Sequence, residues 1–359
     1  MSETPENLTP VRKKAKMPFF RRYTQLLAAV LYNCNLKGFA SGKIYQGDVK
    51  GVCAPGINCY SCPGAVSACP LGSLQSALAK PVFRVPFYLL GTLLLLGVLL
   101  GRFICGFLCP FGLIQDLLHK IPGPKIRKSR FTRGLSLLKY GILLLFVIVI
   151  PLWKAAPGFC KYICPAGTFE AGLPLVIKNP MLRQLTGKLF TWKVFLLCLI
   201  ILLSVFCFRA FCRFLCPLGA WYSFFHPVAL IGVRVDSARC TRCDACVKAC
   251  PMDIKKVGDR ECIHCGDCIA SCPTQAIRFG IKCNTADKEK PCSAQAPDGS
   301  PQLNRKPETK PAVHRIRLVI RIALFVLAAT LLIIGLLGGD YRDVLRKAVR
   351  ICHECIGIG

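Results

Sequence analysis

The sequence predicts a multi-pass α-helical membrane protein with four to five transmembrane helices and a small α+β domain inserted between two of them. Three observations carry that prediction. The chain of 359 residues is 53% hydrophobic with a mean hydropathy of +0.47. That is too apolar for an ordinary soluble protein and too polar for a chain lying wholly in a bilayer. It contains 25 cysteines, many in repeated short motifs, and its formal charge is +30. So apolar a chain has too much to bury to be disordered throughout. Small secreted disulfide scaffolds are short and lack long apolar runs, so that class is excluded too. A basic excess of this size points either to nucleic acid or to an anionic membrane surface. The position of the charges decides for the membrane.

Taken in order, residues 1–22 form a basic N-terminal stretch with Arg12, Lys13, Lys14, Lys16, Arg21 and Arg22. Residues 23–39 hold a short apolar run broken by Gln25, Asn33 and Asn35. It reads as a short span packed inside the bundle, with an interfacial helix as the alternative. Residues 40–80 are cysteine-rich, and residues 81–234 form a membrane domain. Its apolar runs cover 85–101, 135–153 and 190–208, and a last one covers 322–339 within a segment spanning 315–339. A spanning helix needs about 20 mostly apolar residues. Lys139 and Lys193 fall near run ends and are expected to snorkel. Residues 282–314 form a polar, Lys- and Pro-rich linker expected to be flexible. Residues 340–359 form a C-terminal tail.

Loop lysines and arginines set orientation. The N-terminal stretch, the loop with Lys120, Lys125, Arg127, Lys128, Arg130 and Arg133, and residues 237–317 are all basic. With five spans all three fall on the cytoplasmic side of a prokaryotic inner membrane. The blocks around 53–69 and 160–164 and the tail then face outside.

Between spans, residues 235–281 carry the strongest motif. Cys240-x2-Cys243-x2-Cys246-x3-Cys250-Pro251 recurs as Cys262-x2-Cys265-x2-Cys268-x3-Cys272-Pro273. This is the bacterial two-cluster ferredoxin run, in which each fourth cysteine serves the other cluster. Cys240, Cys243, Cys246 and Cys272 are expected to hold one [4Fe–4S] cluster. Cys262, Cys265, Cys268 and Cys250 are expected to hold the second. Zinc loops rarely carry the third cysteine and the Cys-Pro ending in tandem. The domain has no span of its own and is placed in the cytoplasm.

A second repeat follows the spans. Arg102-x2-Cys105-x-Phe107-Leu108-Cys109-Pro110-x-Gly112 matches Arg209-x2-Cys212-x-Phe214-Leu215-Cys216-Pro217-x-Gly219. Cys160-x3-Cys164-Pro165-x-Gly167 is a third copy, and Cys69-Pro70-x-Gly72 shares its ending. Cysteines four apart on a helical turn point one way. The proline turns the second cysteine out of helical geometry and suits the first turn of a new helix. Such a helix aims free N–H groups at an anionic group held by the thiolates. Cys105, Cys109, Cys212 and Cys216 fall on one side and supply the four thiolates of a further cluster. Cys53, Cys59, Cys62, Cys69, Cys160, Cys164, Cys352 and Cys355 fall on the other side and are enough for two more. Disulfides are the alternative for the Cys53–Cys69 block, and a disulfide or redox dithiol for Cys352 and Cys355. Cys34, Cys198, Cys207, Cys283 and Cys292 are unassigned, with Cys198 and Cys207 expected in the core. His119 and His226 follow the inner pairs and read as surface or capping residues rather than ligands.

On Cys105-x3-Cys109-Pro110, Cys212-x3-Cys216-Pro217 and the run from Cys240 to Cys272, the chain resembles the NapH/NosR-type membrane ferredoxins, or polyferredoxins. The resemblance covers roughly residues 21–279. It implies a multi-pass inner-membrane protein relaying electrons between a quinone or cytoplasmic donor, such as a ferredoxin or dehydrogenase, and an outer-face redox partner. The third Cys-x3-Cys-Pro, the outer cysteine block and the last helix depart from that pattern. The chain also lacks the family's large outer flavin-binding domain, which makes a separate outer flavoprotein a candidate partner. No G-x-G-x-x-G phosphate loop opens a helix after a strand, so nicotinamide or flavin chemistry would belong to a partner. Two other readings stand beside the relay: a redox-sensing regulatory or maturation factor, and a subunit of a quinone- or flavin-linked reductase. The relay faces one obstacle. A hydrocarbon core about 30 Å thick is too wide for a single electron hop, so a centre inside the membrane, another cofactor or a quinone has to bridge it.

Overall fold

The computed structural model describes residues 17–80, 85–126, 128–237, 239–281 and 311–358. Residues 12–16 of the basic N-terminus, and Cys283 and Cys292 of the linker, lie outside them.

Three helices are long and apolar enough to cross a membrane: Arg130–Lys154, Lys188–Phe206 and Arg315–Leu337, of 25, 19 and 23 residues. The run at 85–101 is helical only over Phe87–Leu99, 13 residues, or about 20 Å of helix. Pro86 precedes it, and Gly101 ends it with a φ of +53°, a left-handed stop that glycine takes at little cost. The Met17–Tyr32 helix has 16 residues and ends before Asn33, whose side chain caps Ala29 and reaches Asn58.

The last long helix packs antiparallel on Phe87–Leu99. Gly91 lies against Leu332, where an added Cβ would stand 2.5 Å from its backbone nitrogen, and Gly335 lies against the backbone of Tyr88. Two helices approach this closely only where one side has no side chain. Within Arg130–Lys154, residues Leu143–Val149 widen into a π-helical turn. A second π turn covers Gly167–Gly172. Each is followed within two residues by a proline, Pro151 or Pro174. A proline cannot donate to the carbonyl four residues back, and the register slips to five.

Residues 53–69 are buried within the protein rather than looped out from it. Cys53, Ala54, Ile57, Asn58, Tyr60, Ser61 and Cys62 are all buried. The segment enters the helix bundle as an irregular plug. Its backbone is satisfied by side chains from the helices: Tyr88 donates to the Gly51 carbonyl at 3.2 Å and Tyr222 to the Pro55 carbonyl at 2.8 Å. Irregular backbone at such depth is tolerated only when protein satisfies it. The tail packs over the same end, with Tyr341 edge-on to Tyr88 and Lys80 paired to Asp343 at 2.6 Å.

The ferredoxin domain closes the opposite end of the bundle. Strands Ile231–Val235 and Ile277–Ile281 pair antiparallel, with Ile231 opposite Ile281 and Val235 opposite Ile277. Glu261 of this domain receives Lys139 Nζ at 2.5 Å and Arg102 Nη1 at 2.8 Å. Arg213 pairs with Asp253. Lys139 therefore does not snorkel to a membrane interface. It is fully buried and ties the bundle to the inserted domain. Lys193 does not snorkel either. It is buried among cysteine carbonyls, with Nζ bonded to the carbonyls of Cys160 and Cys355.

Candidate metal centres

In the ferredoxin domain, Cys240, Cys243, Cys246 and Cys272 line one open groove. Cys250, Cys262, Cys265 and Cys268 are buried together beneath it. The two loops wind alike. Arg242 and Asp244 flank Cys243 with positive φ, and His264 and Gly266 flank Cys265 in the same way. These left-handed residues give both cysteine loops the same tight winding. Burial pushes the Cys250 and Cys268 thiols up to about 12, so these groups call for a metal to be held as thiolates.

In the bundle, the copied motifs behave as the prolines dictate. Cys69, Cys109 and Cys216 are extended, and helices Pro70–Leu78, Pro110–Leu118 and Pro217–Phe225 start at the next residue. The Gly219 N–H donates to Cys216 Sγ at 3.2 Å and the Gly167 N–H to Cys164 Sγ at 3.4 Å. Cys105, Cys109, Cys212 and Cys216 line one small cavity, walled otherwise by Gly56, Ile57, Phe111, Phe211, Leu218 and Tyr222 among others. Cys59, Cys69, Cys160, Cys164 and Cys355 line a second. Cys53, Cys62 and Cys352 are off its wall. Cys53 lies in an isolated bridge with Ala68, and the Cys352 N–H donates to Ser61 Oγ at 3.1 Å. All described cysteines are free thiols.

The donor sets fit iron–sulfur clusters. Both cavities are apolar-walled and ringed by soft ligands. Among the described residues no three cysteine, histidine or acidic groups converge closely enough to hold a single metal ion. Both cavities carry N–H donors aimed at sulfur, which suit thiolates. Lys50 is fully buried beside Cys59 and Cys62, and its ammonium has no hydrogen-bond partner among the described residues. Such a cation calls for a nearby anion.

Three contacts put the four cysteine groups in series. The two ferredoxin groups share one small domain. Gly106, between the two cysteines of the first inner pair, lies directly against the carbonyl of Ile263 and 4.0 Å from the Cys265 nitrogen, measured from where its Cβ would stand. Ile57 belongs to the wall of both bundle cavities. The two cavities therefore share Ile57 as a common wall, and the plug carries thiols into the bundle.

Several functional residues escaped the sequence reading. Gln115 and Gln75 each bridge a cysteine turn to a neighbouring helix. Arg209 binds Asp116 through two hydrogen bonds, at 2.6 and 2.7 Å, and also reaches the Cys105 carbonyl. The glutamines had a signal, since each stands six residues after the cysteine of a Cys-Pro-x-Gly. His226 is buried rather than superficial. It hydrogen-bonds the Gly258 carbonyl at 2.8 Å and stacks on His264. His119 packs edge-on to Phe208, away from both cavities. Cys198, expected in the core, is exposed on the outer face of its helix, whereas Cys207 is buried.

The comparisons with known proteins agree with this geometry. The 4Fe-4S binding domain family matches residues 85–129, 139–176 and 189–231, and the 4Fe-4S dicluster domain family matches 232–273. An uncharacterized protein of Methanocaldococcus jannaschii is 29% identical over 191 residues, 51% of this chain and 69% of that one. The methylamine utilization ferredoxin-type protein MauN of Paracoccus denitrificans is 32% identical over 50% of this chain and 59% of its own. The regulatory protein NosR of Pseudomonas aeruginosa is 26% identical over 41% of this chain and 19% of its own. The chain thus spans little more than half of MauN and a fifth of NosR. No solved structure matches. The chain carries a 4Fe-4S binding domain and a 4Fe-4S dicluster domain and is similar over part of its length to ferredoxin-type and electron-transport proteins.

Proposed function

We propose that this protein relays electrons across a prokaryotic inner membrane, between a cytoplasmic or quinone donor and a redox partner on the outer face. The observation that carries the reading is the serial contact of four cysteine groups, from the open groove at Cys243 to the cavity beneath the C-terminal tail. Each [4Fe–4S] cluster, when bound, stores or releases one electron. The chain's own residues do the rest. Cys240, Cys243, Cys246 and Cys272 lie at the open groove, where a soluble donor can approach. Cys250, Cys262, Cys265 and Cys268 lie between that groove and the bundle. Cys105, Cys109, Cys212 and Cys216 hold the centre inside the bundle, with Phe111, Phe211 and Leu218 excluding water. Beyond Ile57, Cys69, Cys160 and Cys164 surround the second cavity with a fourth thiol from Cys59 or Cys355, and Cys53, Cys62 and Cys352 lie off its wall. A centre inside the bundle removes the 30 Å obstacle.

In this reading the chain crosses five times. Met17–Tyr32 and Phe87–Leu99 are too short to span alone but run from one end of the bundle to the other. Phe87–Leu99 is covered by the longer last helix, whereas Met17–Tyr32 packs on the short helices Phe103–Phe107 and Pro110–Leu118 and leaves Phe20, Tyr23 and Leu26 exposed, so a locally thin section suffices. The partner beyond the tail is a separate redox protein, with a flavoprotein as the candidate. Lys37, Lys43, Arg350 and His353 border an open cleft beside the tail cysteines, which favours an acidic docking face. The test is the Cys105→Ala, Cys212→Ala double variant. It is expected to keep the ferredoxin signals in low-temperature electron paramagnetic resonance and to lose electron delivery to the tail end. Delivery at the native rate would refute the relay.

A further inference from the structure

The two bundle cavities are built by the same device. At the first, the segment Cys109-Pro110-Phe111-Gly112-Leu113-Ile114-Gln115 faces Cys212-x3-Cys216. Gln115 Oε1 accepts the Phe211 N–H at 3.0 Å, and its Nε2 donates to Cys212 Sγ at 3.0 Å. At the second, Cys69-Pro70-Leu71-Gly72-Ser73-Leu74-Gln75 faces Cys160-x3-Cys164. Gln75 Oε1 accepts the Phe159 N–H at 2.9 Å, and its Nε2 donates to Cys160 Sγ at 3.2 Å. The glutamine thus holds the same place, partners and distances twice. It matches Cys69 to Cys109, Cys160 to Cys212 and Cys164 to Cys216.

The fourth thiol is where the copies differ. Cys105 stands four residues before Cys109, but Ala65 stands four before Cys69 and offers no donor. Two other thiols reach the second wall, Cys59 and Cys355. Geometry separates them. Of the two tail cysteines near Cys160, Cys352 and Cys355, only Cys355 is on the cavity wall. A buried cation grips the carbonyl of the fourth residue at each site, Arg209 on Cys105 and Lys193 on Cys355. Cys59 instead has its backbone N–H on the Glu170 carboxylate at 2.7 Å, which puts a second anion beside it.

We propose that the second cavity is an internal copy of the first and binds one [4Fe–4S] cluster through Cys69, Cys160, Cys164 and the tail residue Cys355. The proposal rests on the iron–sulfur reading of the bundle and sharpens it. Cys69 comes from the cysteine-rich segment and Cys160 and Cys164 from the membrane domain. The fourth arrives only after the ferredoxin domain and the last spanning helix, so the site closes only when that helix has packed on Phe87–Leu99.

The test compares Cys355→Ala, Cys59→Ala and Cys105→Ala in the full chain, purified without oxygen. Iron, acid-labile sulfide and the reduced electron paramagnetic resonance spectrum are measured for each. Cys355→Ala is expected to lose about four iron and four sulfide per chain, with the remaining signals unchanged, while Cys59→Ala loses none. A full complement in Cys355→Ala overturns the proposal. If Cys105→Ala also keeps its full complement, the iron–sulfur reading of the bundle falls with it; if Cys105→Ala loses a cluster, only the tail assignment fails. A second variant guards against misfolding. Gln75→Leu is expected to shift the potential of the one species that Cys355→Ala lacks, and a shift confined to a species that Cys355→Ala retains refutes the assignment.

Discussion

Replacing Glu261 by glutamine is predicted to loosen the ferredoxin domain from the bundle. The carboxylate is 12% exposed and accepts from two cations, Arg102 and Lys139, that are fully buried. A glutamine there would keep the shape and remove the charge, leaving two buried cations without their anion. Breaking a buried pair in this way costs about 3–5 kcal/mol, a weakening of roughly two to four orders of magnitude. Lys139→Met removes one cation and leaves the Arg102–Glu261 pair balanced, so it should cost far less. Chemical denaturation of the solubilised protein, followed by the visible absorbance of the ferredoxin clusters, reads both. The pH dependence adds a signature. Burial works to raise the Glu261 carboxyl, but Arg102 and Lys139 prevail and hold it below the usual carboxylate range. A depressed carboxylate stabilises above its unfolded value, about 4.3, and the benefit is lost as pH falls through the folded value. The gap between wild type and Glu261→Gln should therefore be constant near neutrality and shrink in acid. Equal stability of the two proteins at neutral pH, or a Lys139→Met variant as unstable as Glu261→Gln, would refute the reasoning.

Gly106→Val should force the Ile263 loop away from the Cys105 turn, leaving iron content unchanged and slowing reduction of the bundle centre; stopped-flow reduction by a soluble donor checks it. Gln115→Leu removes a hydrogen bond from Cys212 Sγ and orphans the Phe211 N–H. It is expected to cost about 1–3 kcal/mol and to lower the reduction potential of the inner bundle centre alone, as read by a redox titration. Gly335→Leu should push the last helix off Tyr88 and reduce thermal stability in detergent by at least about 1–3 kcal/mol, the usual cost of overpacking.

Much of the site was legible because proline makes it so. A cysteine before proline is pushed out of the helix and a new helix starts behind it, which Cys69, Cys109 and Cys216 all do. The pairing of Cys105 and Cys109 with Cys212 and Cys216 followed from counting spans. The plug was not legible. Ala54-Pro55-Gly56-Ile57 has no helical or strand period, and its depth depends on Tyr88 and Tyr222, which are far away in sequence. Lys139 and Lys193 look alike as single cations at the ends of apolar runs. Their roles differ because one meets Glu261 and the other meets cysteine carbonyls, and only the packed chain brings those partners in. The glutamine repeat was present in the sequence, as Cys-Pro-Leu-Gly-Ser-Leu-Gln and Cys-Pro-Phe-Gly-Leu-Ile-Gln, but a polar residue in an apolar helix reads as nothing until its partner is known.

The central claim is electron passage from one face of the membrane to the other through the cysteine groups. It is tested most directly in vesicles with the protein oriented one way, an impermeant reductant on the ferredoxin side and an impermeant acceptor on the tail side. The account predicts reduction of the acceptor that disappears in the Cys105→Ala, Cys212→Ala variant. An acceptor that stays oxidised with fully loaded protein, or is reduced equally by the variant, would contradict it.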